Sequence, residues 1–270
     1  MPYRHAHWFV LSLFPLAALA FWPGYLSQLA TAGPAFHAHG ITATMWLLLL
    51  AAQSYSIHHG HRAWHRSVGM ASLLLFPLFL AGGAGIFIGM AQRYVEASTP
   101  FYQMYPARLA WLDVVGVGGI AFFYYQALKW RRKVHVHSGY LLATAIFLLP
   151  PILGRLSPIL PGLSISGPAD FGKLMIGFQV GNGLTALIAL GIALRSRHGQ
   201  PFFIAAALHV LAAILFQTVG GWSVWEAFYA RTAEVPVGPF ALAAGLFGVA
   251  VGWAGWTAGR RPQTRGAFAA

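Results

Sequence analysis

The chain has 270 residues, of which 58% are hydrophobic and only 8% are charged. Because about 25% of the residues of a soluble domain are charged, this composition excludes an ordinary soluble protein. It indicates a protein that lies in a lipid bilayer. The formal net charge is +12, but the basic residues form short clusters between apolar runs, so we expect no nucleic-acid partner. Cysteine is absent, which excludes disulfides, thiolate metal sites and a cysteine nucleophile.

Eight apolar runs are long enough to cross about 30 Å of hydrocarbon as helices. In chain order they cover residues 8–30, 39–57, 68–91, 108–128, 138–155, 172–194, 201–221 and 237–258. The first run ends near a signal-peptide-like Ala30-Thr31-Ala32, but it is longer than a signal-peptide core, so we expect a retained span. The sequence therefore predicts an all-α polytopic membrane helix bundle of about eight transmembrane helices, with residues 1–270 in a single integral membrane domain.

The charges of the connecting loops predict the orientation of this bundle. If the N-terminus is cytoplasmic, twelve Lys and Arg residues fall on the cytoplasmic side and five on the opposite side. Cytoplasmic loops carry an excess of Lys and Arg, so we expect both termini to be cytoplasmic. The protein is then a multi-pass protein of the bacterial inner membrane, with the lipid bilayer as its first partner.

The connection between the second and third spans is rich in histidine. It reads HHGHRAWHRSVG from His58 to Gly69, and one interpretation is that a loop at the lipid headgroups uses polar residues without binding anything. Its last part, an HxxxG pattern ending at Gly69, recurs as HVHSG from His135 to Gly139 at the start of the fifth span. In a weak internal repeat of this kind, Gly69 and Gly139 would let a neighbouring helix or a planar ligand approach the backbone closely.

Histidines at one end of three spans suggest a cofactor site. The third, fifth and seventh spans all start on the cytoplasmic side and carry His65, then His135 or His137, and then His209 towards that end. Imidazole is a common metal ligand and an axial haem ligand, and Arg66 offers a charge for a haem propionate. We therefore expect a membrane redox protein in which these histidines bind b-type haem or an iron or copper ion. Such a protein would act with a redox partner or within a larger membrane complex.

A second group of candidate metal ligands lies towards the opposite side. His37 and His39 precede the second span, and Asp113 lies within the first two turns of the fourth span. An ionisable side chain at that depth is costly and is a functional candidate by default. Asp113 can also simply pair with Arg108, which is five residues away.

A resemblance is carried by residues in the first half of the chain. It rests on His39, Trp46, Gln53 and His65-Arg66-x-x-Gly69, followed by a basic loop with His135 or His137 at the start of a later span. This arrangement resembles a widespread group of uncharacterised bacterial multispan membrane proteins over residues 37–155, and that group implies no function. More distantly, the chain is similar to transmembrane b-type cytochromes, which usually place paired histidines deeper; here only His209 is deep, which favours one haem on the cytoplasmic side.

Three alternative functions remain open. A structural or accessory subunit of a larger complex would use the aromatic, lipid-facing surface. A small-solute transporter is favoured by Pro150-Pro151, since a kink at midplane depth frees carbonyls that can line a cavity. A membrane di-iron oxygenase would use the HxxxH pair of His61 and His65, which share a helical face, but the HxxHH boxes typical of such enzymes are absent.

Overall fold

The structure is a computed structural model that describes residues 2–260. Regular secondary structure in this range is helical throughout, without strands. The α-helices are α1 (Ala6–Phe21), α2 (Pro34–His58), α3 (Arg62–Glu96), α4 (Pro100–Met104), α5 (Pro106–Lys129), α6 (Val134–Ile146), α7 (Leu149–Leu156), α8 (Lys173–Arg195), α9 (Gln200–Gln217), α10 (Ser223–Arg231) and α11 (Val237–Ala258).

Seven helical segments of the described chain are long and apolar enough to cross a membrane. They are Pro34–His58, Arg62–Glu96, Pro106–Lys129, Val134–Ile159, Pro168–Arg195, Gln200–Gly221 and Val237–Ala258. In chain order these segments match the second to eighth predicted spans. The prediction of an all-helical, multi-pass membrane protein is confirmed at this level.

The first predicted span differs from its helix. α1 covers only Ala6–Phe21, 16 residues, which at about 1.5 Å per residue give roughly 24 Å, less than the hydrocarbon thickness. The chain then turns at Pro23-Gly24, and Leu26–Thr31 forms a separate 3-10 helix. Residues 8–30 are therefore not one helix, because a proline and a glycine interrupt it. Whether α1 forms an eighth span stays a prediction.

The helix ends collect at two sides of the bundle. One side, which we call the basic side, is formed by residues 2–5, 59–61, 130–133, 196–199 and 259–260. On this side, Arg131 donates to the Trp256 carbonyl oxygen at 2.9 Å. The opposite side, which we call the far side, is formed by residues 22–33, 97–105, 157–172 and 218–236. Near this side, the guanidinium of Arg93 lies 4.6 Å from the centre of the Phe36 ring. Two of the twelve arginines and lysines assigned to the basic side, Arg261 and Arg265, lie outside the described residues.

Seven of the described helices form a closed ring. In spatial order they are α1, α2, α3, α5, α9, α8 and α7, and α7 packs on α1. α11 packs against α3 and α5, whereas α6 contacts α2, α5, α8 and α9 and therefore fills the centre of the ring on the basic side. α7 continues the same span but lies in the wall between α1 and α8.

Two prolines explain why the fifth predicted span is two helices. α6 ends at Ile146 and α7 begins at Leu149, with Pro150 and Pro151 in its first turn. Proline has no N–H to donate and its ring clashes with the preceding turn, so it breaks a continuing helix but is well tolerated at the start of a new one. The chain leaves the centre of the ring at this break.

Aromatic side chains pack densely around α6. Trp46 is fully buried and its Nε1 donates to Thr144 Oγ1 of α6 at 3.1 Å. Its ring stacks on Phe79 at a centroid distance of 5.8 Å and meets Tyr124 edge-on at 5.5 Å. The Tyr124 hydroxyl lies 2.8 Å from Ser72 Oγ. These five residues, Trp46, Ser72, Phe79, Tyr124 and Thr144, form what we call the plug, which fills the basic-side half of the ring. The side-chain polar atoms of its four polar members are hydrogen-bonded to one another in pairs.

Candidate functional site

Residues that are exposed although they lie deep within the protein indicate an internal cavity in the far-side half of the ring, where α6 no longer occupies the centre. Asp113, Gly116, Ile120 and Tyr124 recur at helical spacing and share one face of α5. Ile120 and Tyr124 are buried, and Tyr124 is part of the plug. Asp113 is exposed although it lies deep within the protein, and a Cβ at Gly116 would meet nothing within 4 Å. One face of α5 therefore packs in the core towards the basic side and lines open space towards the far side.

Charged and polar side chains from four helices surround this cavity. Arg155 of α7 is also deep and is only half-buried. It interacts electrostatically with Asp113 of α5, His39 of α2 and Tyr102 of α4. His39 stacks on Phe79, with ring centroids 6.2 Å apart, so it is held above the aromatic plug. The cavity thus brings together two candidates from the sequence, His39 and Asp113, with an arginine from the break in the fifth span.

Asp113 and Arg155 have few partners among the described residues 2–260. The ion pair found among residues 2–260 is Lys173–Asp170, at 2.8 Å; Asp113 and Arg155 are more than 4.0 Å apart and Asp113 accepts no hydrogen bond. One Arg155 nitrogen donates to the Pro151 carbonyl at 3.0 Å, and the guanidinium lies 4.6 Å from the Phe21 ring centre. Placing such a charge at membrane depth costs on the order of 3 kcal/mol, so the structure does not explain these two residues by pairing them.

A short helix, α4, lies on the far side next to the ring. α4 carries Tyr102, whose hydroxyl accepts a hydrogen bond from Arg93 Nη1 at 3.1 Å. Tyr105, three residues after Tyr102, is fully buried, and its hydroxyl donates to the Phe171 carbonyl oxygen at 2.5 Å. The segment of α4 and Tyr105 therefore links α3 to the loop before α8.

Two basic-side histidines share one geometry. His65 Nδ1 lies 3.2 Å from the Gln53 carbonyl oxygen, and His137 Nδ1 lies 2.8 Å from the Ala127 carbonyl oxygen. Because a carbonyl only accepts, each Nδ1 donates, and each neutral ring keeps its Nε2 lone pair free. The two imidazoles are close enough to interact electrostatically. Each histidine also ties the start of its helix to the helix before it.

The weak internal repeat has a different register from the one predicted. His65 corresponds in its contacts to His137 rather than to His135, since His135 instead stacks on His198 at 4.4 Å. The two glycines do not leave room for a planar ligand. A Cβ at Gly69 would lie 3.6 Å from Gln53 Nε2, and one at Gly139 would lie 3.2 Å from Pro201 Cγ. Side chains of the protein fill the space next to both.

His209 does not join the His65–His137 pair. It is buried in α9 and packs on Phe147, with ring centroids 4.7 Å apart, at the break between α6 and α7. It also borders a groove of about 330 Å³ between α8 and α9, together with Gln179 and Asn182. Within residues 2–260, no group of three or more His, Cys, Asp or Glu side chains is placed to hold a metal ion.

The remaining candidate residues lie near the surface. His37 Nδ1 lies 2.9 Å from the Tyr25 hydroxyl on the far side. Arg66 and His61 are exposed on the basic side, and the His61 ring lies near Tyr55 and Trp64. None of these three side chains reaches the cavity.

Comparisons with known proteins add no assignment. No family model, no curated protein and no solved structure matches the chain. The function therefore has to be inferred from the two sites described above.

Sequence reasoning missed Arg155 as a functional residue. It is the last residue of the predicted span 138–155 and one of the five Lys and Arg residues predicted opposite the cytoplasmic side. The signal that could have found it is the combination of a proline pair and an arginine within one span, four residues after Pro151. A broken helix that carries a charge into a bundle is typical of a binding site.

Proposed function

We propose that this protein is a membrane transporter for a small polar solute, with its binding site in the far-side cavity. The observation that carries this proposal is that Asp113 and Arg155 lie deep and accessible and form no ion pair within residues 2–260, in a ring whose centre α6 fills on the basic side only. Ionisable residues inside a membrane domain mark substrate and ion pathways when they face a cavity.

The broken fifth span supports the same proposal. Transporters commonly place their substrate sites at discontinuous helices near the membrane midplane. Here α6 lies in the plug, α7 carries Arg155, and the helix is interrupted between them at Phe147 and Leu148. With the basic side in the cytoplasm, as the charge distribution favours, the cavity faces the opposite compartment. Transport requires a second state in which the plug opens towards the basic side.

Cysteine labelling tests this cycle, because the chain has no native cysteine. Gly116→Cys, Ala143→Cys and a control, Ala91→Cys, are made separately; Ala143 lies in α6, and both alanines are fully buried. Right-side-out and inside-out vesicles are treated with a small impermeant thiol reagent. We expect Gly116→Cys to react from the far side, Ala143→Cys to react slowly from the basic side, and Ala91→Cys to remain unlabelled. If Ala143→Cys is as inert as Ala91→Cys from both sides, the plug does not open and the transporter proposal is wrong.

A second candidate function is favoured by the basic-side histidines. We propose that His65 and His137 bind a transition-metal ion through their free Nε2 atoms, which keeps the expected redox role as an alternative. Ligating histidines usually donate their other ring N–H to a carbonyl or carboxylate, as both do here. The filled spaces beside Gly69 and Gly139 favour an ion over a haem.

Metal content and an absorption spectrum test this second candidate. Protein purified from iron- and copper-replete cells should carry the metal, and His65→Ala should lose it. A His58, His59 and His61 to Asn triple variant is the control, because these side chains lie at or before the start of α3 and away from the pair. A colourless, metal-free wild-type protein, or retention of metal by His65→Ala, would remove this function.

A further inference from the structure

The charges in the cavity indicate the chemistry of the solute. We propose that the cavity binds a small zwitterion, with the ligand's carboxylate on Arg155 and its ammonium group on Asp113. This inference rests on the proposed function, because it names the substrate class of the same site. The observation behind it is that Asp113 of α5 is exposed and Arg155 of α7 only half-buried although both lie deep in the same ring, and that the two opposite charges are more than 4.0 Å apart.

Arg155 provides the anion-binding end. A guanidinium carries five N–H donors in a planar fork that matches a carboxylate, and one donor is used by the Pro151 carbonyl. Phe21 covers one side of the guanidinium and holds it in place. The other donors have no acceptor among the described residues, so a carboxylate in the cavity would supply the missing partner.

Asp113 provides the cation-binding end. Its carboxyl group has no hydrogen-bond donor from the described protein and no ion-pair partner within 4.0 Å. Arg155 is near enough to interact with it electrostatically but too far to pair with it. The two side chains thus offer a negative and a positive group that are separated from each other, and at Gly116, one turn after Asp113, a Cβ would meet nothing within 4 Å.

A zwitterion fits this gap better than a simple ion does. A simple anion would neutralise Arg155 but would lie beside the Asp113 carboxylate. A simple cation would pair with Asp113 but would lie beside the guanidinium. Each of these ligands leaves one membrane-embedded charge uncompensated, which is costly, whereas a molecule with both groups compensates the two ends and adds no net charge.

Ligands with one group deleted give a direct test. Binding to the protein in lipid nanodiscs is measured by equilibrium dialysis for L-alanine, for propionate, which lacks the ammonium group, and for ethylamine, which lacks the carboxylate. L-leucine, 4-methylpentanoate and 3-methylbutylamine form a larger matched set. At least one of the two amino acids should bind about tenfold more tightly than both of its analogues, as expected for losing one partner of a buried charge pair.

Variants of the two residues assign each contact. Asp113→Asn should abolish the preference for the amino acid over the analogue without the ammonium group. Arg155→Gln should abolish the preference over the analogue without the carboxylate, and Arg155→Lys should retain part of it. The controls are Arg231→Gln and Glu96→Gln, two exposed far-side positions, which should leave all affinities unchanged. Thermal unfolding of each variant confirms that it is folded.

The outcomes separate this inference from the transporter proposal. Equal affinity for an amino acid and its carboxylate analogue, unchanged by Asp113→Asn, would overturn the zwitterion and indicate a simple anion site. Failure of both amino acids to bind, with Ala143→Cys still labelled from the basic side, would also overturn it and leave the transporter standing. Binding with the predicted variant pattern but an inert Ala143→Cys would retain the zwitterion site and remove transport.

Discussion

The aromatic plug and the far-side cavity differ in how their polar side chains are accommodated. On the basic side, Trp46 pairs with Thr144 and Ser72 pairs with Tyr124 inside a dense aromatic plug. On the far side, Asp113 and Arg155 remain unpaired and accessible. Buried polar groups that hold a fold together are satisfied by the protein itself. Groups that the protein leaves unsatisfied next to open space are those available to a ligand.

The boundary between the two halves should be the most sensitive region. A Cβ at Gly119 would lie 2.5 Å from Phe147 Cζ, and Phe147 cannot easily move because it packs on His209 and Phe123. We expect Gly119→Ala to lower the free energy of unfolding by about 2 kcal/mol, as overpacking does. Thermal unfolding in detergent measures this change.

The control for this variant lies one position earlier on the same helix. A Cβ at Gly118 would meet nothing within 4 Å, so Gly118→Ala should be neutral or slightly stabilising, because alanine has the higher helix propensity. Equal destabilisation by both variants would show that Phe147 does not lock the break between α6 and α7.

The plug should depend on its internal hydrogen bond. Thr144→Val keeps the size of the side chain but leaves the buried Trp46 Nε1 without an acceptor. We expect a loss of about 1–2 kcal/mol in the free energy of unfolding, the usual cost of one unsatisfied buried donor. Thr257→Val, which removes only an exposed hydroxyl bonded within its own helix, is the control. An unchanged unfolding midpoint for Thr144→Val would mean that this bond does not hold α6 in the ring.

Substitution of the two far-side charges should change the free energy of unfolding less than the substitutions in the plug do, and in the opposite direction. Asp113→Asn and Arg155→Gln remove charges that have no ion-pair partner in the described part of the chain. Without ligand, each substitution should therefore change the free energy of unfolding by less than about 0.5 kcal/mol or increase it. The same unfolding measurement checks both variants. A loss comparable with that of Thr144→Val would show that the two charges stabilise the fold, and would contradict a ligand-binding role.

The sequence predicts the helices well because twenty or so apolar residues in a row have few alternatives in lipid. It also identifies His39, Asp113 and His65 as unusual. It does not place α6 in the centre and α7 in the wall, since that depends on how Pro150 and Pro151 redirect the chain. Of the histidines expected near His65, the structure brings His137 close to it, whereas His135 stacks on His198 and His209 lies at the break. The sequence left His135 and His137 as alternatives, because two residues shift the side chain to another face of the helix.

The central claim, a water-accessible cavity in the far-side half, is tested most directly by spin labels at Gly116→Cys and Gly118→Cys in lipid bilayers. The two positions lie at nearly the same depth on different faces of α5, and both have open space beside the backbone. Collision rates with a water-soluble nickel chelate and with oxygen, which concentrates in lipid, distinguish water from hydrocarbon. We expect the label at residue 116 to collide mainly with the nickel chelate and the label at residue 118 mainly with oxygen. Oxygen-dominated collisions at both positions would place residue 116 against lipid and contradict the cavity.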